Sequence, residues 1–234
     1  MTETILRKSS ERGFFDFGWL KTFHTFSFGD YYDPAFMGFR NLRVINEDRV
    51  QAGEGFPTHP HQDMEILTYV VSGSLAHKDS MGNGASIHPS EVQRMSAGTG
   101  VTHSEFNGSK EEAVHLLQIW ILPAQKGLNP SYEQNFFGDE LKKNKLCLIA
   151  SDQAEAGSVL IHQDVKIFSS LLDQNQSLEY AGKKDRAFWL QVVKGEVKVD
   201  ENILNSGDAY AHSFTESLRI RALENSEFLL FDLA

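Results

Sequence analysis

Two short strings in this 234-residue chain carry side chains suited to holding a metal: His59-Pro60-His61 and His103-Ser104-Glu105. Each sets two ligand-type residues at i and i+2, which on a β-strand point to one face. If the two strands face each other inside a barrel, three imidazoles and one carboxylate meet at a point. Such a set leaves two positions free on a six-coordinate ion, as a catalytic site requires, whereas structural zinc is usually closed by four ligands. Mixed histidine and carboxylate ligation of Fe(II) is a common oxygenase arrangement. Tetrahedral Zn(II) would also be satisfied by four such ligands. The expectation is therefore one divalent ion per chain, Fe(II) first, with Zn, Cu, Ni and Mn compatible.

Other groups compete for these roles. Asp63 and Glu65 share the parity of His59 and His61. Glu65 could replace Glu105 as a ligand, or hydrogen-bond an imidazole N–H from behind. His24, His77, His88, His115, His162 and His212 stand apart from the paired strings and read as surface or satisfied core residues. The one cysteine, Cys147, lies in an apolar strand-like run and reads as a packed thiol.

The rest of the chain must supply the strands. Glycines, six prolines and short alternating apolar runs punctuate it about every ten residues, which predicts an all-β sandwich or barrel. Strands are expected at 42–45, 65–71, 75–77, 114–122 and 145–149, with a hairpin end over 79–84. Residues 124–144 read as a connector with a helical turn at 137–142, and 163–172 is ambiguous between strand and helix. Thr68–Ala76 resembles Leu190–Lys198, each a strand, a glycine turn and a second strand. The later copy has no H-x-H before it and no H-x-E after it. One barrel with a metal site (1–135) and one without (136–234) is the resulting expectation. Between Phe14 and Phe39 the chain is dense in aromatics, expected to form a packing layer and to line a pocket for a flat ligand.

The net charge of −10 disfavours direct contact with phosphate backbones. A single cysteine excludes an intrachain disulfide and fits a reducing compartment. The N-terminus lacks a signal peptide and no 18-residue apolar run is present, so no membrane segment and a cytoplasmic location are expected. Nothing in the pattern calls for assembly beyond a monomer.

Gly53-x5-His59-x-His61-x3-Glu65 with Gly73 resembles the first cupin motif, and Gly100-x2-His103-x3-Asn107 resembles the end of the second. Two departures stand out. The stretch from Glu65 to Gly73 is one residue longer than the usual spacing, and Gly98 stands where a proline is expected. The segments His24–Phe28, Tyr31–Pro34, His77–Asn83 and Met95–Gly100 are similar to the pirin family's, densely over about residues 10–135. The resemblance implies a bicupin, two jelly-roll barrels packed against each other. It implies His59, His61, His103 and Glu105 as ligands, with Glu65 at most behind them. It also implies dioxygenase activity on flavonols such as quercetin, giving a depside and carbon monoxide, with Glu105 as general base. The competing reading is a metal-containing regulator that binds a protein partner, the metal's redox state being its switch. A third is a structural zinc barrel without activity.

Overall fold

The computed structural model describes residues 4–182, 185–213 and 217–234. Among these the chain is all-β. Its one α-helix is the single turn Asp139–Lys142, within the expected helical turn, and two 3-10 turns occur at Ser9–Glu11 and Glu155–Gly157. No helix among the described residues is long and apolar enough to cross a membrane.

The chain divides into two units, Gly13–Phe136 with Val159–Gln163, and Met1–Arg12 with Phe137–Ser158 and Asp164–Ala234. The main cut lies one residue from the expected 135/136 boundary, but two pieces change sides. Strand Thr4–Arg7 pairs with Ala209–His212, extending the second unit's sheet. Residues 159–163 join the first unit, where Glu133 accepts from Leu160 N (2.9 Å) and Glu65 from His162 N (3.2 Å).

The first unit has a seven-stranded and a four-stranded antiparallel sheet. The larger runs Ser131–Phe136, Glu91–Ser96, Glu65–Ser72, Val114–Ile121, Leu42–Val50, Leu20–His24, Gly13–Asp16. The smaller runs Gly55–His61, Val101–Asn107, Leu75–Asp79, Gly84–Ile87. Ser131–Phe136 corrects the expectation of a plain connector. It is an edge strand of mostly polar, half-exposed residues paired with Glu91–Ser96, so it offers no hydrophobic alternation to read. The ambiguous 163–172 stretch resolves as the strand Val165–Leu172.

The second unit repeats the plan. Val165–Leu172, Ser226–Leu233, Ala187–Lys194 and Ala209–His212 are consecutive in its large sheet. Ser177–Ala181, Ser217–Ala222, Glu196–Val199 and Asn202–Asn205 form the small one. Strand for strand this matches the order in the first unit, and the repeat noticed in the sequence falls on equivalent hairpins. Both hairpins turn on a glycine at positive φ, Gly73 at +79° and Gly195 at +80°, a conformation that disfavours side chains.

The interiors differ. Across the first unit's large sheet Gln93, Thr68, Gln118, Asn46 and His24 stand opposite one another in one row, all buried. Aligned on the hairpin glycines, the corresponding row in the second unit is Tyr210, Leu190, Leu230 and Phe168. These belong to a continuous apolar cluster with Val199, Leu218 and Ile220. The second unit is filled; the first keeps a polar inner wall.

Candidate metal centre

The two strings lie on neighbouring antiparallel strands, with His59 directly opposite His103 and His61 opposite Val101. The register then slips. Glu105 stands opposite Phe56, so the segment from Phe56 to His59 carries one residue more than its partner. This is a β-bulge, and Pro57, which has no N–H to donate, lies within it. The bulge turns the Pro57 carbonyl onto His59 Nδ1 at 2.8 Å. A carbonyl only accepts, so Nδ1 carries the proton and Nε2 presents its lone pair.

His59 Nε2 and His61 Nε2 each stand 3.0 Å from His103 Nε2. Burial, then the neighbouring imidazoles, depress the pKa of His61 to about 4 and of His103 to about 2. The rings are therefore neutral at pH 7, the state that binds metal. Two nitrogens each about 2.1 Å from one ion stand about 3.0 Å apart at a right angle and about 3.4 Å apart at the tetrahedral angle. Nitrogens at this spacing can share one ion. Lone pairs converging at this distance repel unless a cation lies among them, so the donor set fits a divalent ion.

Glu105 lies just outside this triangle, with Oε2 3.9 Å from His103 Nε2. It is 3% exposed, and Gln118 Nε2 donates to both its oxygens at 3.0 Å. The Thr68 hydroxyl donates to Gln118 Oε1 (3.3 Å), which turns the amide nitrogen toward the carboxylate. Burial raises the Glu105 pKa to about 7, against the hydrogen bonds from Gln118 and Thr68. A small rotation would carry the carboxylate from Gln118 to an ion held by the histidines.

His77 corrects its reading as a lone core residue. It stands opposite Glu105 across the adjacent strand pair, and its Nδ1 lies 3.4 Å from His103 Nδ1. Its Nε2 meets Asp79 Oδ2 at 3.2 Å. Asp79 also accepts from Asn83 N, Asn83 Nδ2 and Met81 N. Burial works to raise the Asp79 carboxyl, but these bonds outweigh it and hold it below its ordinary range. An ionised Asp79 draws the His77 proton to Nε2. His77 Nδ1 then accepts from His103 Nδ1–H, and His103 Nε2 is left free to bind. The ligating atoms of His77, His103 and Glu105 also lie within 4.8 Å of one another. With both His77 nitrogens engaged, His59, His61 and His103 are the better cradle. His77 and Asp79 share the i, i+2 spacing, but the approach of His77 to His103 arises only from the pairing of Leu75–Asp79 with Val101–Asn107.

Glu65 does not stand behind the histidines. Its Oε2 accepts from Ser96 Oγ (2.9 Å) and from His162 N and lies 3.2 Å from His162 Nδ1. The shared parity with His61 is lost between the strands, where Asp63 adopts a left-handed turn (φ +48°). Gly98 explains one departure from the cupin motif. At φ +47° no proline fits, and a Cβ there would lie 2.0 Å from the Leu128 carbonyl oxygen.

A cavity of about 350 Å³ opens in front of the histidines, lined by His59, His61, Glu105, Gln118, Trp120, Phe28, Phe56 and polar strand residues. Trp120 sets its edge against His61, ring centres 4.9 Å apart. From the aromatic segment, Phe15, Phe17, Trp19 and Phe28 line cavities of this unit, whereas Phe26 and Phe39 are core and Phe14 and Tyr32 are exposed. Cys147 is partly buried, and burial raises its thiol pKa.

Known proteins place the chain. Residues 6–121 match the Pirin family model and 148–233 match the model described as the quercetinase C-terminal cupin domain. The chain is 48% identical over 229 residues to a quercetin 2,3-dioxygenase of Escherichia coli (strain K12), covering 97% of each. It is also 48% identical over 221 residues to a putative quercetin 2,3-dioxygenase of Pasteurella multocida, covering 92% of each. The crystal structure of YhhW from Escherichia coli superposes with a TM-score of 0.95 at 46% identity, covering 99% of this chain and 98% of that one. A nickel(II) complex of the same bacterial pirin gives 0.94 at 45%, covering 99% of each. With full-length similarity of this order, two cupin units and a histidine cluster in the first, the chain is a member of the pirin family.

Proposed function

We propose that the protein is a metal-dependent dioxygenase that opens the central heterocycle of a flavonol such as quercetin with O2, giving a depside and carbon monoxide. The observation that carries this reading is the convergence of three imidazole Nε2 atoms beside a buried carboxylate at the base of an aromatic-lined cavity. His59, His61, His103 and Glu105 would hold the ion. Fe(II) is our first choice, and the nickel(II) complex of the related bacterial pirin keeps Ni(II) beside it. A divalent ion there supplies Lewis acidity toward a hydroxyl drawn to it and a path for electrons between substrate and oxygen.

The chain's own residues do the rest. Phe28, Phe56 and Trp120 clasp a flat ring system and keep water from it. Glu105, with a pKa near 7, takes the proton of the flavonol 3-hydroxyl as general base. Gln118, steadied by Thr68, holds the carboxylate in place before and after that transfer. The resulting flavonolate is electron-rich, and the redox chemistry lies with substrate, metal and oxygen.

The test is oxygen uptake with quercetin by protein loaded anaerobically with Fe(II) and, separately, Ni(II), with His59→Ala as control. Uptake matched by loss of flavonol absorbance, and absent in the control, supports the proposal. No uptake by protein shown to carry each metal in turn overturns it.

A further inference from the structure

We propose that the metal cavity continues into a second, aromatic chamber, and that the two together select a two-ring polyphenol whose ring hydroxyls are read at the waist by Asn46 and Asp48. This rests on the flavonol reading and extends it from a reaction to a substrate shape.

The second chamber measures about 340 Å³ and is walled by Phe15, Phe17, Trp19 and Phe28. It shares Phe28, Asn46, Asp48 and Phe56 with the metal cavity. Each chamber alone is near the lower limit for a small-molecule pocket, roughly 300 Å³.

Asn46 and Asp48 occupy i and i+2 of strand Leu42–Val50 and face the same interior. Each is only 5% exposed. Thr22 hydrogen-bonds the Asp48 carboxyl, yet Oδ1 of Asp48 and Oδ1 of Asn46 are buried with no partner. A buried oxygen left unpaired destabilises a fold unless something donates to it. The fold does not require polarity at Asn46, since the equivalent position of the second unit is Phe168, although the equivalent of Asp48 is the buried Ser170. Two unpaired acceptors between two aromatic chambers call for a ligand with hydroxyl donors on a flat, extended skeleton. A one-ring enol would use the metal cavity alone.

The test measures binding apart from turnover. Metal-loaded protein without oxygen is titrated by tryptophan fluorescence with quercetin, with 3-hydroxyflavone, which lacks the hydroxyls of the two benzene rings, and with 3-hydroxy-4-pyranone, which lacks both benzene rings. Quercetin is expected to bind at least about tenfold more tightly than 3-hydroxyflavone, and 3-hydroxyflavone more tightly than the pyranone. Asn46→Leu and Asp48→Leu should each shrink the first ratio. Phe17→Ala, at the exposed edge of the second chamber, should weaken both two-ring ligands without unfolding risk to the core. Equal binding of quercetin and 3-hydroxyflavone, or a ratio unaltered in folded variants, overturns the proposal. Turnover with unaltered ratios refutes this inference and spares the reaction. Altered ratios without any turnover do the reverse.

Discussion

His103 sits at the centre of the nitrogen cluster, and its orientation depends on one acceptor. Replacing His77 by Phe preserves the ring and its packing on Tyr132, whose centre lies 5.1 Å away, but deletes the acceptor 3.4 Å from His103 Nδ1. Asp79 stays anchored by Asn83 and Met81, so the loss is confined to His103. A buried N–H left without a partner costs about 1–3 kcal/mol. Partners behind metal-bound histidines are typically worth about 10–100-fold in metal affinity, or about 1.4–2.7 kcal/mol. We therefore expect His77→Phe to weaken Ni(II) binding by about 10–100-fold in a competition titration against a chelating indicator. Asp79→Asn keeps an acceptor but removes the charge that fixes the His77 tautomer, and should fall between wild type and His77→Phe. His59 leans on the Pro57 carbonyl, which no side-chain substitution removes, so binding should weaken rather than vanish. A folded His77→Phe protein that binds Ni(II) within about threefold of wild type would refute the argument.

Glu105→Gln should retain much of the bound metal, measured by elemental analysis, and lose flavonol turnover; undiminished turnover sinks its role as base. Glu65→Gln should leave metal content unchanged, because its bonds go to Ser96 and His162, and should lower the thermal midpoint instead. Gly98→Ala should destabilise by about 1–3 kcal/mol in urea, from the strained φ and the clash with Leu128. For Asp48, burial raises the carboxyl pKa to about 7 from 3.8, with Glu105 and Glu47 adding and Thr22 opposing. The folded state holds this proton more tightly than the unfolded chain, so its contribution is fullest below pH 4 and is lost as pH rises toward 7. The loss is at most about 4 kcal/mol, and Asp48→Asn should remove it, flattening the metal-free protein's urea midpoint between pH 4.5 and 7.5 relative to wild type.

His59, His61, His103 and Glu105 were legible because a period of two on a strand leaves a period of two in the sequence. His77 and Gln118 were not, since only strand pairing brings His77 to His103, and Gln118 reaches Glu105 from the opposite sheet. The bulge at Pro57 was also hidden. Simple alternation puts His59 and His61 on one face correctly, yet it would set Phe56 on the opposite one. The edge strand Ser131–Phe136 lacked apolar alternation, though its Tyr132 packs on His77. The transfer of Thr4–Arg7 to the other unit's sheet was not readable, because a single short strand does not announce its partner.

The matched strand order of the two units makes each a control for the other. Where the first has His59, His77, His103 and Glu105, the second has Tyr180, Val199, Leu218 and Ile220. Those four exchanges separate a reactive hollow from a solid one on the same scaffold. Carving these side chains and a counterpart of His61 back into the second unit, with room made behind them, is a direct route to a chain with two centres.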